Sequence, residues 1–168
     1  MDRATDYGSV GWRFESSWAH HLRFMRMALE EARRAWQEGE VPIGAVLVSA
    51  EGEVLARDHN RTLSLCDPTA HAEVLVLRQG ARAVGSPRLE GSVLYVTAEP
   101  CVMCAGAMVW ARIGALVYGA DDPNRSGGVR TLYRVGEDPR LNHRFEVRAG
   151  VLAEECKELL RRFFEARR

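Results

Sequence analysis

The sequence predicts an α/β protein with three layers, α/β/α, in which helices cover both faces of a mixed five-stranded sheet. Two observations predict this class. Segments whose apolar residues recur every three or four positions alternate with short apolar runs that are typical of buried strands. A turn separates the first two runs, which indicates an antiparallel hairpin, whereas helices separate the later runs, which indicates parallel crossovers.

The first helix is predicted from Trp18 onward. Its apolar side chains repeat in steps of four and three residues: Trp18, Leu22, Met25, Leu29, Ala32 and Trp36. Ser17 suits the N-cap of this helix, and Gly39 suits its end. Residues 1–17 lack the pattern, so we expect them to form a flexible N-terminal extension and residues 18–168 to form a single domain.

Five strands and three further helices are predicted after it. The strands are expected at residues 43–48, 54–57, 92–97, 115–118 and 145–149. The helices are expected at residues 67–84, 100–111 and 152–167, with a short one near 129–135 in a long irregular stretch. Asp67 can cap the second helix, and Pro68 tolerates its first position. This layout brings the starts of the second and third helices together at one edge of the sheet.

The composition is that of a globular domain and excludes several classes of protein. Apolar residues make up 46% of the 168 positions and charged residues 27%, which is enough for a core. No apolar run approaches the roughly 20 residues of a membrane helix, and no secretory signal is visible, so we expect a cytoplasmic protein without membrane contact. The 23 basic and 23 acidic residues balance, which argues against non-specific coating of nucleic acid.

Two motifs carry the chemistry, and each lies near the predicted start of a helix. The first is His71-Ala-Glu73, and the second is Pro100-Cys-Val-Met-Cys104. Cys101 and Cys104 lie on one helix face, where the positive end of the helix dipole favours thiolates, the metal-binding form. With His71 they make three ligands and no obvious fourth, which indicates a catalytic zinc with a position left for water. Zinc makes hydroxide available at neutral pH, and Glu73 is the expected proton shuttle.

The same cysteines allow other interpretations. A structural zinc would need a fourth ligand, and a redox pair would need a thioredoxin-like context that this sequence lacks. Disulfides are not expected in a cytosolic chain. Cys156 falls in the apolar pattern of the last helix and is interpreted as a core residue. Cys66 is interpreted as a small buried side chain, with a spare metal ligand as the alternative.

Beyond these motifs, the chain resembles the bacterial tRNA-specific adenosine deaminases, the TadA family. The matching stretches are residues 40–48 (EVPIGAVLV), 67–73 (DPTAHAE), 94–97 (LYVT), 99–108 (EPCVMCAGAM), 111–114 (ARIG), 142–144 (NHR), 152–156 (LAEEC) and 163–164 (FF). They cover the chain from about Trp18 to its end.

The resemblance implies a cytidine deaminase-like fold and conversion of adenosine to inosine at the wobble position of a tRNA anticodon. It also implies a homodimer that binds the anticodon stem-loop and holds one zinc per subunit. Residue by residue, His71, Cys101 and Cys104 match the zinc ligands, and Glu73 matches the proton shuttle. Asn60 matches an asparagine that hydrogen-bonds the flipped nucleotide, and Asp122 matches an aspartate beside the target base; without the resemblance, each would be interpreted as a turn or loop residue.

Three departures from the family pattern concern RNA docking. Thr62 replaces a proline, residues 123–129 differ in sequence, with Arg125 as a replacement for a missing lysine, and Trp110 stands where a smaller or polar residue is common. One alternative function, suggested by the shared fold and the Pro-Cys-x-x-Cys motif, is a deaminase of guanine or another free nucleobase or nucleoside. The other is a non-catalytic zinc-stabilised subunit, which the presence of Glu73 disfavours.

Overall fold

The computed structural model describes residues 7–122, 124 and 126–168, with side chains from residue 18 onward. Four α-helices are present among these residues: α1 (Tyr7–Gln37), α2 (Ala72–Val84), α3 (Val102–Ala111) and α4 (Ala153–Glu165). The strands are β1 (Gly44–Val48), β2 (Val54–His59), β3 (Val93–Ala98), β4 (Ala115–Ala120) and β5 (Glu146–Arg148). A short 3₁₀ helix spans Val135–Glu137.

The five strands form one mixed sheet in the order β2-β1-β3-β4-β5. Strand β1 is antiparallel to both β2 and β3, while β3 pairs with β4, and β4 with β5, in parallel. The hairpin turn contains Gly52, which adopts a φ of 89°. The predicted fold class, a mixed five-stranded sheet that is antiparallel at one end, is confirmed.

Alternate residues of the strands pack against helices on opposite faces of the sheet. Val46, Tyr95 and Val117 belong to the cluster that α1 and α4 cover. Their neighbours Leu47, Leu94 and Leu116 belong to the cluster that α2 and α3 cover. Because side chains alternate along a strand, both faces are apolar, and this gives the three layers. Helices α2 and α3 therefore lie side by side on one face, with both of their N-termini at the same edge of the sheet.

The first helix begins at Tyr7 and not at Trp18 as predicted. The apolar repeat marks where α1 meets the sheet, and helical hydrogen bonds need no such repeat outside the contact. The flexibility predicted for residues 1–17 stays a prediction, since residues 1–6 lie outside the described residues. Helix α1 ends at Gln37, close to Gly39 as expected.

The predicted start of the second helix is wrong. Helix α2 begins at Ala72 with His71 at the N-cap, so Asp67 does not cap it. The Asp67 carboxylate instead accepts hydrogen bonds from the Thr69 amide at 2.8 Å and the Thr69 hydroxyl at 2.7 Å, which closes a local turn. This shift places His71 itself at the tip of the helix.

The predicted helix near residues 129–135 is also wrong. Helical structure in this stretch is limited to Val135–Glu137 among the described residues. The amides of Arg130 and Thr131 donate to the Glu99 carboxylate at 2.8 and 2.9 Å and are not available to helical carbonyls. Within the described part of the chain, none of the helices has the length and apolar character needed to cross a membrane.

Candidate metal centre

Three potential ligands meet where the N-termini of α2 and α3 approach each other. His71 is the N-cap of α2, Cys101 is the N-cap of α3, and Cys104 lies in the first turn of α3. The Nδ1 atom of His71 is 3.6 Å from the Sγ of Cys101 and 3.4 Å from the Sγ of Cys104. All three atoms lie within 4.8 Å of one another. The proximity of the two helix starts predicted from the sequence is confirmed.

This arrangement fits a zinc ion. Tetrahedral zinc with bonds of about 2.0 Å to nitrogen and 2.3 Å to sulfur separates those two ligand atoms by roughly 3.5 Å. The nitrogen–sulfur distances of 3.4 and 3.6 Å match that separation. Among the described residues, no fourth His, Cys, Asp or Glu joins the group. Three protein ligands of this type leave one coordination position for a water molecule or substrate, as in catalytic zinc sites.

Hydrogen bonds within the group shift the pKa values of the potential ligands. Hydrogen bonds from Cys104 and His71 lower the pKa of the Cys101 thiol to about 4, against the opposing effect of burial. The hydrogen bond between His71 and Cys101 raises the pKa of His71. The hydrogen bond between Cys104 and Cys101, together with burial, raises the pKa of the Cys104 thiol. The lowered pKa of Cys101 favours its thiolate form, which is the form that binds metal ions.

Glu73 lies beside the ligands without joining them. It is in the first turn of α2, and only 4% of the residue is exposed. Burial raises the pKa of its carboxyl group to about 7. A group whose pKa is close to the working pH can both accept and donate a proton, which is what general acid–base catalysis requires.

The ligands and Glu73 line a cavity of about 250 Å³. The side chains around it come from six separate segments of the chain: Val41, Ile43, Asn60, Thr62, His71, Glu73, Ala98, Glu99, Cys101, Asp122, Asn124, Ser126, Leu160 and Phe164. All the predicted site residues except Cys104, which is fully buried, are among them. The structure therefore brings the predicted substrate contacts, Asn60 and Asp122, to the same cavity as the metal ligands.

Asn60 is positioned by the end of β2. Its amide N–H donates to the carbonyl of Ile43 at 3.0 Å, which extends the pairing of β1 and β2 by one residue. The residue is buried, and its side-chain amide has no hydrogen-bond partner among the described residues. A polar side chain at a cavity wall without a protein partner is available to a ligand.

Asp122 is engaged with its own loop. Its carboxylate accepts hydrogen bonds from the amide of Asn124 at 2.8 Å and from the amide and hydroxyl of Ser126, both at 2.7 Å. Both carboxylate oxygens are used, so Asp122 shapes the cavity wall whether or not it also contacts a ligand. Its role beside a target base stays a prediction.

The other residues singled out in the sequence have mixed outcomes. Cys156 is buried, as predicted. Cys66 is exposed, adopts a φ of 48° and does not belong to the ligand group, so its interpretation as a buried side chain is wrong. Thr62 lines the cavity, and Trp110 is 77% exposed on α3. Pro123 and Arg125 lie outside the described residues.

A second cluster of Glu31, Asp58 and His59 also has the ligand types of a metal site. Its polar atoms already have protein partners. The His59 ring nitrogens lie 2.9 Å from Glu31 and 2.8 Å from Glu38. Arginines complete the network, with Arg57 donating to Glu31 and Arg61 to Asp58, each at 2.8 Å. We interpret this cluster as a structural charge network that joins α1 to β2.

Sequence reasoning missed two buried glutamates that support the cavity walls. Glu40 accepts hydrogen bonds from the amides of Leu63 at 3.3 Å and Ser64 at 2.7 Å, which anchors the loop after Asn60. Glu99 anchors the loop that contains Asp122. Their partners lie 23 to 32 residues away in the chain, and local patterns carry no signal for such contacts.

Fold and site together define a zinc-binding deaminase domain, and comparison with known families agrees. The model of the cytidine and deoxycytidylate deaminase zinc-binding region matches residues 19–120. A tRNA-specific adenosine deaminase of Agrobacterium fabrum is 49% identical over 150 residues, which cover 89% of this chain and 97% of that protein.

A solved structure from a study of A-to-I editing by tRNA:A34 deaminases aligns with a TM-score of 0.78 and 49% identity, over 82% of this chain and 99% of that one. A guanine deaminase from Nitrosomonas europaea aligns with a TM-score of 0.69 but only 26% identity, over 84% and 83% of the two chains. The chain belongs to the family of tRNA-specific adenosine deaminases. The resemblance seen in the sequence is confirmed, and the guanine deaminases are more distant relatives.

Proposed function

We propose that this protein is an enzyme that deaminates adenosine to inosine at the wobble position of a tRNA anticodon by zinc-dependent hydrolysis. One observation carries the proposal: a single small cavity is lined by two of the three potential metal ligands, His71 and Cys101, together with the buried Glu73 carboxyl group and the side chain of Asn60. The relatives named as tRNA-specific adenosine deaminases support this substrate over others.

We infer that His71, Cys101 and Cys104 hold one zinc ion per subunit. Zinc in such a site supplies a water whose pKa falls to about 7 and which is therefore an effective nucleophile at neutral pH. Glu73 would accept a proton from the attacking water and deliver it to the ring nitrogen N1 of adenine. It would then take the proton of the hydroxyl group formed at C6 and deliver it to the departing amine, so that the C6–N bond breaks as the C6 carbonyl forms. Water and adenosine are thereby converted to inosine and ammonia.

The size of the cavity supports an extruded base as the substrate. Pockets for drug-sized ligands occupy roughly 300–1,000 Å³, whereas this cavity measures about 250 Å³. One base fits such a space, and the rest of an anticodon loop remains outside it. Asn60 and Asp122 both line this cavity, which supports them as proposed contacts to the extruded nucleotide.

Inosine formation tests this function directly. The purified zinc-loaded protein is expected to convert adenosine to inosine in an anticodon stem-loop with adenosine at the wobble position, as detected by mass spectrometry of the digested RNA. The same stem-loop with guanosine at that position is the matched control and stays unchanged. Efficient turnover of free guanine or cytidine, without inosine in the stem-loop, would favour the free-base alternative.

We also propose that the protein is a homodimer that uses the exposed face of α3. Val102, Met103 and Trp110 are exposed large apolar residues on this helix. Gly106 and Ala107 lie between them and allow the backbone of a neighbouring molecule to approach closely. A second copy of the chain is the partner that the family resemblance implies.

Replacing Trp110 tests the dimer. Trp110→Glu is expected to shift the protein from dimer to monomer in sedimentation velocity, because it introduces a charge into the apolar contact. Val84→Glu changes another exposed apolar residue, on α2, and is expected to leave the dimer intact. A Trp110→Glu protein that sediments like the unmodified chain would place the dimer contact elsewhere or exclude it.

We propose the cytoplasm as the location of the protein. The metal ligands include two cysteines that must stay reduced to bind zinc, and the described cysteines are all free. A tRNA substrate belongs to the same compartment.

A further inference from the structure

Glu99 is a buried carboxylate that no part of the proposed chemistry uses. It directly follows β3 and precedes Cys101 by two residues. Its Oε1 accepts hydrogen bonds from the amides of Arg130 at 2.8 Å and Thr131 at 2.9 Å. Its Oε2 accepts from the amide of Asp122 at 3.1 Å and the hydroxyl of Thr131 at 2.7 Å. The four donors are uncharged groups, and they come from both ends of one loop.

Through these bonds Glu99 sets the positions of Asp122, Arg130 and Thr131. Asp122 in turn positions Asn124 and Ser126, because its carboxylate accepts hydrogen bonds from their backbone amides. Asp122, Asn124 and Ser126 all line the cavity. The wall that faces the proposed nucleotide site is thus attached to the sheet through the Glu99 carboxylate.

The middle of the same loop packs against the metal-ligand turn. The Gly128 amide donates to the carbonyl of Pro100 at 2.8 Å, and the Val102 amide donates to that of Ser126 at 3.1 Å. A Cβ atom on Gly128 would lie 2.7 Å from the Cys101 carbonyl oxygen, so only glycine allows this approach. These contacts do not involve the Glu99 side chain, so the metal-ligand turn keeps its own support when Glu99 is changed.

We propose that Glu99 is a positioning residue. It fixes the cavity wall formed by Asp122, Asn124 and Ser126 and thereby sets the affinity for RNA. This inference rests on the proposed tRNA deaminase function. Glu99 acts through Asp122 and its neighbours, because its own carboxylate oxygens are occupied by loop donors. Its effect therefore falls on the binding of the RNA, while His71, Glu73 and the two cysteine ligands retain their arrangement.

The hydrogen-bond pattern requires a carboxylate and not an amide. Glutamine has one acceptor oxygen and an NH₂ group that can only donate. If the oxygen of Glu99→Gln faces Arg130 and Thr131, the Thr131 hydroxyl can rotate to accept from the NH₂ group. The amide N–H of Asp122 then faces a donor and loses its partner. The opposite orientation leaves two amides unpaired, so the first is preferred and the disturbance falls on Asp122.

Steady-state kinetics of Glu99→Gln on the wobble-adenosine stem-loop test the proposal. We expect the KM for the RNA to rise about tenfold, because a buried donor loses its partner at the binding wall. We expect kcat to change by less than about threefold, since the groups that move protons are untouched. Zinc content, measured by elemental analysis, is expected to stay at the level of the unmodified protein. Hydrogen exchange of the peptide that contains the Asp122 amide is expected to accelerate.

Two further variants keep the test decisive. Thr131→Val removes one donor to Oε2 but leaves the Asp122 bond, so a smaller rise in KM is expected; it also serves if Glu99→Gln does not fold. Glu137→Gln makes the same chemical change at an exposed glutamate outside the cavity and should leave both constants unchanged.

An unchanged KM in both Glu99→Gln and Thr131→Val would overturn the proposal, as would a fall in kcat accompanied by loss of zinc. Failure of the unmodified protein to deaminate the stem-loop would refute the proposed function instead, so the two failures are distinguishable.

Discussion

Glu73→Gln is expected to retain its zinc and to lose at least about a thousandfold of its deaminase activity. Glutamine keeps the size of the side chain but cannot take a proton from water or transfer one to the amine. The two proton transfers proposed for this residue would fail together, so the loss should appear in kcat. The measurement is single-turnover inosine formation on the wobble-adenosine stem-loop, with zinc determined in the same preparation.

The structure adds a second expected result for the same variant. The Glu73 carboxyl group is buried, and burial raises its pKa to about 7 because it disfavours the charged form. Because burying the charged carboxylate destabilises the folded protein, we expect Glu73→Gln not to lower the melting temperature. Glu90→Gln, at an exposed glutamate that does not line the cavity, is the matched control and should retain full activity. Activity of Glu73→Gln within tenfold of the unmodified enzyme would contradict the role assigned to Glu73.

His71→Ala and Cys101→Ala are each expected to lose zinc and, with it, all activity. Either change leaves two protein ligands, and a loss of affinity greater than about a hundredfold is expected, since changes to outer partners alone cost roughly 10–100-fold. Elemental analysis after dialysis against a weak chelator measures the bound metal. The stability of the protein should also fall to that of the metal-free unmodified chain, because a bound ion stabilises the state that binds it.

Cys66→Ala is the matched control for the ligand variants. Cys66 is exposed and lies outside the ligand group, so its replacement should leave zinc content unchanged. Full zinc occupancy in Cys101→Ala would refute the proposed ligand set. Loss of zinc in Cys66→Ala would show that the group has a fourth protein ligand, and the interpretation as an open catalytic site would fail.

Much of the candidate site could be predicted because its chemistry is encoded locally. His71 and Glu73 are two residues apart, Cys101 and Cys104 are three apart, and both pairs lie near the start of a helix. The proline-containing turns before these helices located the start of α3 to within two residues and that of α2 to within five. The alternation of strands and helices predicted that the two starts meet at one sheet edge. Boundaries were less accurate, as the Asp67 turn before His71 demonstrates.

The supporting residues could not be predicted, because their contacts are distant in the chain. Glu99 bonds to Asp122 and Thr131, and Glu40 bonds to Ser64, across 23 to 32 residues. The local sequence around a glutamate does not show whether its side chain is exposed to solvent or buried beneath a loop. The exposure of Cys66 could not be predicted for the same reason, since its loop is held by Glu40 and not by any local apolar pattern.

The amino-acid sequence by itself determined the fold class, the family and the residues that can bind zinc and move a proton. Periodicity and short motifs are properties of neighbouring residues, so they can be seen without a fold. Only the tertiary structure decided that Asn60 and Asp122 share the cavity of those residues, and that two buried carboxylates hold its walls. Packing and hydrogen bonds between distant segments form only when the strands have paired and the helices have packed on both faces of the sheet. Such contacts can therefore be seen only in the tertiary structure.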